Sequence, residues 1–305
     1  MKNPCLFTTE DEMKQIIDNL KKYPWYRKSF DRIKAKVDEM LNRGAFVPNH
    51  GGYVFYDCCK RDNASLKFDP YTNYSMYCPK CGMRYSDYPH QRAWAVRYHS
   101  WLSQMGMLVG IVYQVEKNPV YAEFLHRILM DYAEVYPGFE NSDNELGPTL
   151  MAQSTYMESV FIMNFAGAYD MVATDSVFSE ADKAAIKKNF FRVSADAILD
   201  YDEKANNRQA FNNAGLIAVG YVLEDEGLVD YALNGPNGFV SHMKNSVLCD
   251  GLWYEGDNYH FATVPSLVNI AEMALRNGRD LYHDAFGGHT IQDLFMAPLM
   301  SLQPD

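Results

Sequence analysis

Apolar residues recur every three or four positions along residues 10–43, which is the spacing of an amphipathic α-helix. Pro24 interrupts this pattern and Gly44 ends it, so the sequence predicts two helices that meet at Pro24. The pattern changes over residues 45–90, where proline and glycine are frequent and the run 53–56 has a strand-like composition. This second stretch is predicted to be an irregular insert with a small β element.

Helical periodicity returns at Arg92 and continues towards the end of the chain. The sequence predicts helices over 92–116, 119–135, 150–173, 180–200, 212–224, 238–248, 263–277 and 288–300, with a loop at 138–148. Strands do not alternate with these helices, and there is no glycine-rich dinucleotide fingerprint, which argues against a buried parallel sheet. Antiparallel helix pairs joined by short loops predict an all-α fold, an (α/α) toroid forming a single domain over residues 1–305.

Composition and charge limit the kinds of partner that the chain is expected to bind. The 305 residues are 48% hydrophobic, enough for one large core, and carry a formal net charge of −11. Because no basic face is visible, nucleic-acid binding is not expected. No run of eighteen apolar residues occurs, so no membrane partner is predicted. Residues 1–12 lack the apolar segment of a signal peptide, which predicts a cytoplasmic protein, or a periplasmic or secreted one if a leader was removed. The sequence leaves oligomer formation open.

Four of the six cysteines cluster in the insert. A Cys-x-x-Cys-Gly knuckle, which ends at Gly82, is preceded by a pair of adjacent cysteines, and such knuckles are typical of structural zinc sites. The candidate metal ligands are Cys58, Cys59, Cys78 and Cys81. Because two adjacent cysteines cannot both bind one ion without strain, His50 or His90 could complete the set. The prediction is a structural zinc and no organic cofactor, with a metal-free ribbon held by packing as the alternative.

The stretch Asn206–Gly215 holds four asparagines, a glutamine and an arginine immediately before an apolar run. Helix capping accounts for one or two asparagines but not for all of them. Amides at this density suit the neutral recognition of a carboxylate or of sugar hydroxyls. The candidate residues are Asn207, Arg208, Gln209, Asn212 and Asn213. A polar surface loop is the alternative interpretation.

The stretch Cys249–His260 concentrates carboxylates, aromatic rings and a histidine in twelve residues. Two glycines permit positive φ and break the helical pattern, so we interpret it as a loop that leads into an apolar helix. Tyr259 and His260 offer a proton donor and acceptor pair for acid–base catalysis. The alternative is a capped turn, with Asp250 and Asp257 as caps and the aromatic residues in the core.

Both stretches carry a family resemblance. Asn207–Ala214, and Asp250–Gly256 followed by Tyr259 and His260, resemble the motifs of the heparinase II/III-like polysaccharide lyases, most closely the oligoalginate lyases. The resemblance covers nearly the whole chain. It implies an α/α toroid followed by a β-sandwich region, and β-elimination at a uronic acid in an acidic polysaccharide or oligosaccharide. In that reaction an Asn or His neutralises the uronate carboxylate, a Tyr or His removes the C5 proton, and a Tyr protonates the leaving oxygen.

Carried over to this sequence, the resemblance assigns the catalytic tyrosine to Tyr259 and the carboxylate-neutralising amide to Asn207. Asn212, which stands where many relatives have a histidine, and His260 are further catalytic candidates. The residues expected to bind substrate are Arg208, Gln209, Asn213, Trp253 and Glu255. The chain stops about where relatives continue into the β-region, so a fragment or a toroid without the β-sandwich is expected.

Two other functions fit the same residues. An α/α-toroid glycoside hydrolase would use two carboxylates from Asp250, Glu255 and Asp257. A non-catalytic sugar-binding protein would use the amides and rings without turnover. We favour β-elimination, because amide donors and an arginine can offset the charge of a uronate. A 4,5-unsaturated product would distinguish elimination from hydrolysis.

Overall fold

A computed structural model describes residues 3–140 and 149–300, and helices dominate both ranges. The helices are α1 (Glu10–Lys22), α2 (Pro24–Arg43), α3 (Tyr88–Glu116), α4 (Pro119–Val135), α5 (Thr155–Val172), α6 (Glu180–Ile186), α7 (Val193–Leu199), α8 (Asn207–Leu223), α9 (Glu226–Asn234), α10 (Phe239–Asn245), α11 (Asp257–Arg276) and α12 (Ile291–Met300). A turn of 3₁₀-helix, Tyr136–Gly138, follows α4, and a π-helical stretch, Lys187–Arg192, joins α6 to α7.

The two N-terminal helices begin and end where their sequence predicts. At the start of α1, the Thr9 side chain accepts a hydrogen bond from the Glu12 backbone N–H at 3.2 Å, and the Glu12 carboxylate accepts one from the Thr9 N–H at 2.7 Å. Pro24 stands in the first turn of α2, where its missing N–H leaves no helical bond unmade. Gly44 follows α2 with φ of 80°, a left-handed value that favours glycine.

The remaining helices form two layers. Helices α3, α5, α8 and α11 pack side by side in that order. Helices α4, α7, α9 and α10 pack against them, and α6 packs against α4. This is the arrangement of an (α/α) toroid, as predicted. Aromatic rings fill the space between the layers, among them Tyr132 and Phe190, which stack with centroids 4.8 Å apart. None of the described helices is both long and apolar enough to cross a membrane.

Several predicted boundaries were wrong. Helix α8 begins at Asn207 rather than 212, and α11 begins at Asp257 rather than 263, so both polar stretches enter helices earlier than expected. The helix predicted over 180–200 is interrupted by its π-helical turns, and α9 was not predicted. The predicted loop at 138–148 lies mostly outside the described residues.

The insert is irregular and partly β, as predicted. Its regular part is a small hairpin of β1 (Met76–Tyr77) and β2 (Arg84–Tyr85), with Met76 opposite Tyr85. Isolated bridges, such as the one between Cys58 and Ser65, hold the rest. The insert therefore contributes little regular secondary structure of its own.

The start of the insert packs against the segment that leads into α5. The Gly52 N–H donates to the Met151 carbonyl at 3.1 Å, and the Val54 N–H donates to Gln153 Oε1 at 3.2 Å. Glycine is required beside this contact, because a Cβ on Gly51 would lie 2.0 Å from the Leu150 carbonyl oxygen. The insert is thus fixed to the segment immediately before α5.

Candidate active site

The two polar stretches meet at one pocket between the start of α8 and the start of α11. This α8–α11 pocket has a volume of about 560 Å³. Its lining residues are Tyr156, Asn206, Asn207, Arg208, Phe211, Glu255, Tyr259 and Ala262. Residues about fifty positions apart in sequence, Asn207 and Tyr259, therefore share one cleft.

The beginning of α8 determines which amides reach the pocket. Asn206 is the N-cap, and its side-chain oxygen accepts hydrogen bonds from the N–H groups of Arg208 at 2.9 Å and Gln209 at 3.4 Å. In the helix that follows, Asn207, Arg208 and Phe211 line the pocket. The first turn of a helix carries partial positive charge, so this wall favours an anionic group.

Glu255 joins the two walls. Its Oε2 atom accepts hydrogen bonds from the backbone N–H of Asn207 and from Nε1 of Trp253, both at 2.8 Å. The Tyr254 hydroxyl adds a hydrogen bond to the Ala205 carbonyl at 2.5 Å. These contacts fix the loop before α11 against the N-terminus of α8, and a carboxylate at a helix N-terminus is itself stabilising.

Arg208 contributes a positive charge to the pocket, and an ion pair with Glu203 fixes the position of its guanidinium group. Its Nη2 atom lies 2.8 Å from Glu203 Oε2, and the Glu203 side chain is only 2% exposed. The other oxygen of Glu203 accepts a hydrogen bond from the Thr155 hydroxyl at 3.1 Å. A guanidinium anchored on one side by a buried carboxylate is positioned for a second anion on its open side.

Tyr259 lies in the first turn of α11 and is half exposed. Its ring lines the same pocket as Asn207 and Arg208. Tyr156 and Phe211, whose ring centroids are 5.8 Å apart, form an aromatic wall of this pocket. The pocket thus combines an amide, a cation, a phenol and an apolar surface on which a sugar ring can stack.

His260 does not face the α8–α11 pocket. Its ring is buried, with Nδ1 accepting from the Trp253 N–H at 3.0 Å and Nε2 donating to the Leu294 carbonyl at 2.8 Å. Both ring nitrogens are occupied by the protein, so the expected catalytic role of His260 does not fit its position. Trp253 is also buried, and it acts on the pocket through Glu255 rather than by touching substrate.

Three of the amides predicted to bind substrate or to catalyse are buried inside the fold. Asn212 accepts from the Ser159 hydroxyl at 2.9 Å and donates to Thr155 Oγ1 at 3.0 Å, which ties α8 to α5. Gln209 donates to Asn213 Oδ1 at 3.0 Å, and Asn213 donates to the Asn237 carbonyl at 2.8 Å. The positions of Asn212, Gln209 and Asn213 correct their assignment as substrate contacts: they hold helices together.

The carboxylates proposed for hydrolysis are separated. Glu255 lines the α8–α11 pocket, whereas Asp257 lines a neighbouring apolar pocket of about 590 Å³ between α11 and α12. Asp250 is exposed and accepts a hydrogen bond from the Leu252 N–H at 3.0 Å within its own turn. The structure therefore does not bring two of these three carboxylates to one pocket, as a glycoside hydrolase requires.

The cysteine cluster differs from the predicted one by one residue. Cys59, Asp62, Cys78 and Cys81 place one ligand atom each within 4.8 Å of one another, so these four could hold a metal ion. Cys58 is exposed and does not join them, which corrects its assignment as a ligand. The candidate histidines contact other groups: His50 the Gly51 carbonyl and His90 the Asp87 carboxylate.

Comparison with solved structures shows the fold class. An alginate lyase from Bacteroides ovatus superposes with a TM-score of 0.65 at 13% identity, covering 98% of this chain and 84% of that one. A variant of alginate lyase A1-III complexed with tetrasaccharide gives a TM-score of 0.60 at 17% identity, covering 95% of this chain and 76% of that one. At these identities the similarity shows an α/α toroid of the type seen in alginate lyases, and no more.

The family follows from sequence comparison. The family model described as "Alginate lyase" matches residues 55–299, and the chain belongs to this family of polysaccharide lyases. An alginate lyase of Stenotrophomonas maltophilia (strain K279a) is 22% identical over 278 residues, and an exo-oligoalginate lyase of Saccharophagus degradans is 23% identical over 277 residues. Each alignment covers 86% of this chain and 32% of the relative, so the chain spans about a third of their length. The prediction that the chain belongs to a polysaccharide lyase family is confirmed, and the narrower heparinase II/III-like assignment stays a prediction.

Tyr156, Phe211 and Glu203 belong to the site but were not among the residues predicted for it from the sequence. Tyr156 comes from α5, far in sequence from both polar stretches, and Glu203 precedes α8 and holds Arg208. Neither stands in a recognisable motif. An acidic residue five positions before an arginine, across a helix N-cap, was the one available signal for Glu203.

Proposed function

We propose that this chain is the toroid of a lyase that cleaves a uronic-acid-containing polysaccharide or oligosaccharide by β-elimination. The observation that carries the proposal is the meeting of Asn207, Arg208 and Tyr259 at one pocket with an aromatic wall. The family and the two relatives, named as an alginate lyase and an exo-oligoalginate lyase, support alginate or its oligosaccharides as substrate. We further propose that the chain stands nearest the oligoalginate-cleaving branch.

In the proposed reaction, Asn207 and Arg208 bind the uronate carboxylate. A hydrogen-bond donor and a positive charge together offset the carboxylate. Neutralising the carboxylate lets negative charge spread into it from C5 as the C5–H bond breaks. The most important interaction is therefore with charge that develops in the transition state.

Tyr259 is the proposed acid and base. As a phenolate it takes the C5 proton, and the resulting phenol gives that proton to the glycosidic oxygen as the C4–O bond breaks. A double bond forms between C4 and C5, and the enzyme returns to its starting state. Arg208 lines the same pocket as Tyr259. These steps use proton transfer and charge neutralisation, so we propose no organic cofactor and give any zinc at the cysteine cluster a structural role.

The charge of the chain favours an unsulfated substrate. A net charge of −11 repels a polymer with many sulfates unless cations are concentrated at the site. In the α8–α11 pocket, Arg208 is the cationic lining residue. A polymer with one carboxylate per sugar matches this single cation better than a highly sulfated one.

An ultraviolet-absorbance screen of this chain against uronate polymers and oligomers tests the proposal. Alginate and oligoalginate are expected to give the absorbance of a 4,5-unsaturated product, and a heavily sulfated glycosaminoglycan is not. New reducing ends without that absorbance would indicate hydrolysis and overturn the proposal. Saturable binding of oligoalginate without either product would instead support a sugar-binding protein.

A further inference from the structure

The insert, residues 45–90, has too little regular secondary structure to be stable through its own hydrogen bonds and packing alone. Its hairpin strands are two residues long each, and its buried side chains are few. Small bodies of this kind usually depend on a metal ion or on cross-links, because they bury little apolar surface. We propose that Cys59, Asp62, Cys78 and Cys81 bind one structural zinc ion, with Asp62 in the place of a fourth cysteine.

Two pairs of ligand atoms, Cys59 with Cys81 and Cys78 with Asp62, lie at separations that fit a tetrahedral zinc site. Zinc bonds of about 2.3 Å to sulfur and about 2.0 Å to oxygen set S···S and S···O separations of about 3.8 Å and about 3.5 Å. The Sγ atoms of Cys59 and Cys81 lie 3.7 Å apart, and Cys78 Sγ lies 3.4 Å from both carboxylate oxygens of Asp62. A disulfide between Cys59 and Cys81 would require a separation of about 2.05 Å instead.

The backbone around the cysteines is shaped as a metal knuckle. The Cys81 N–H points to Cys78 Sγ at 3.5 Å, and the Arg61 N–H points to Cys59 Sγ at 3.4 Å. Gly82 closes the knuckle with φ of 73° and donates to the Cys78 carbonyl at 2.9 Å. Backbone N–H groups directed at sulfur stabilise thiolates, which are the form that binds zinc.

Tyr85 completes the surroundings of the site. Its hydroxyl accepts a hydrogen bond from the Lys60 N–H at 3.0 Å, which leaves its own proton to donate to Cys59 Sγ, 3.1 Å away. Such outer hydrogen bonds orient the ligands of a metal and tune its affinity. Cys58, by contrast, is exposed, and the carboxylate its Sγ approaches is that of Asp57, at 3.8 Å.

Metal content is the test, and it is independent of the proposed lyase activity. The chain is stripped with a chelator, titrated with Zn²⁺, and analysed for bound metal after gel filtration. One zinc per chain is expected in the wild type and in Cys58→Ser, the matched control. Asp62→Ala is expected to weaken zinc binding by at least about tenfold, the smallest effect seen for loss of even an outer partner, and Asp62→Cys is expected to restore it.

Cobalt provides a second readout that does not depend on a variant folding. Co²⁺ bound to the wild type should show thiolate-to-metal absorption of an intensity that corresponds to three thiolates. Failure of the wild type to hold one zinc or cobalt per chain would overturn the proposal. Loss of zinc in Cys58→Ser with full binding in Asp62→Ala would also overturn it, because the fourth ligand would then be Cys58.

Discussion

The backbone N–H of Asn207 donates a 2.8 Å hydrogen bond to the carboxylate of Glu255, 48 residues further along the chain. This bond joins the first turn of α8 to the loop that leads into α11. Tyr259 follows Glu255 by four residues, at the start of that helix. The position of the proposed acid–base residue relative to the proposed carboxylate-binding residue therefore depends on Glu255.

Replacing Glu255 should lower turnover by displacing its neighbours. Glu255→Ala leaves the Trp253 Nε1–H and the Asn207 N–H without their shared acceptor, which we expect to cost about 1–3 kcal/mol of unfolding free energy and to reduce kcat. Glu255→Gln keeps an acceptor oxygen and should lie between Ala and wild type. Urea unfolding and steady-state kinetics measure both effects. Glu123→Gln, a substitution at an exposed position on α4, is the control. Unchanged kcat and stability in Glu255→Ala would show that Glu255 does not position Asn207 and Tyr259.

Asn207 and Asn212 should respond differently to alanine. Asn207→Ala removes a pocket donor and is expected to cost about 3 kcal/mol of transition-state stabilisation, on the order of a hundredfold in kcat/KM, with little change in stability. Asn212→Ala removes the buried hydrogen bonds that the Asn212 amide makes with the Ser159 and Thr155 hydroxyls and should lower unfolding free energy by about 1–3 kcal/mol. Steady-state kinetics and denaturant unfolding of both variants distinguish the catalytic role of Asn207 from the structural role of Asn212. The reverse pattern would make Asn212 the functional amide.

The contrast between Asn207 and Asn212 shows which features of the site can be predicted from the sequence and which cannot. The composition of 206–215 correctly indicates a concentration of amides, but they lie inside the first turns of α8 rather than before it, and a composition carries no helical phase. Once Asn206 is known to be the cap, Gln209, Asn212 and Asn213 fall three or four residues apart on one buried face, while Asn207 and Arg208 lie on another. The helical period was available in the sequence, and the starting residue of the helix was not.

The same limit applies to contacts between distant segments. Tyr156 reaches the α8–α11 pocket because α5 packs between α3 and α8, and no local pattern encodes that neighbourhood. The toroid itself was predictable, because helical periodicity repeats along the whole chain and strands are scarce. The fourth member of the cysteine cluster was not, since the fold of the loop turns Asp62 inward and leaves Cys58 exposed.

Glu158 should give the stability a measurable pH dependence. Its carboxylate is fully buried and accepts hydrogen bonds from the Met151 N–H at 2.8 Å and the Ser194 hydroxyl at 2.9 Å. Burial raises the pKa of Glu158 from 4.5 to about 7, so the folded protein holds this proton more tightly than the unfolded chain. The stabilising contribution is complete below pH 4.5 and is lost as the pH rises through about 7.

Glu158→Gln isolates that contribution, because glutamine keeps an acceptor for Met151 and can donate to Ser194. Relative to the variant, the wild type should lose on the order of 3 kcal/mol of unfolding free energy between pH 4.5 and 7, at about 1.4 kcal/mol per pKa unit. Urea unfolding at a series of pH values measures the difference. Parallel curves for the two proteins would show that Glu158 does not titrate in this range.

The most direct test of the proposed active site is the rate of β-elimination by the Tyr259→Phe variant. The substitution keeps the ring of a half-exposed residue and removes its transferable proton, so folding should be unaffected. Tyr23→Phe, which changes a tyrosine of 37% exposure between α1 and α2, is the matched control. The measurement is the initial rate of 4,5-unsaturated product formation from the best uronate substrate, followed by ultraviolet absorbance. We predict a loss on the order of a hundredfold or more in Tyr259→Phe and none in Tyr23→Phe. A folded Tyr259→Phe protein that eliminates at the wild-type rate would contradict the assignment of Tyr259 and, with it, the proposed active site.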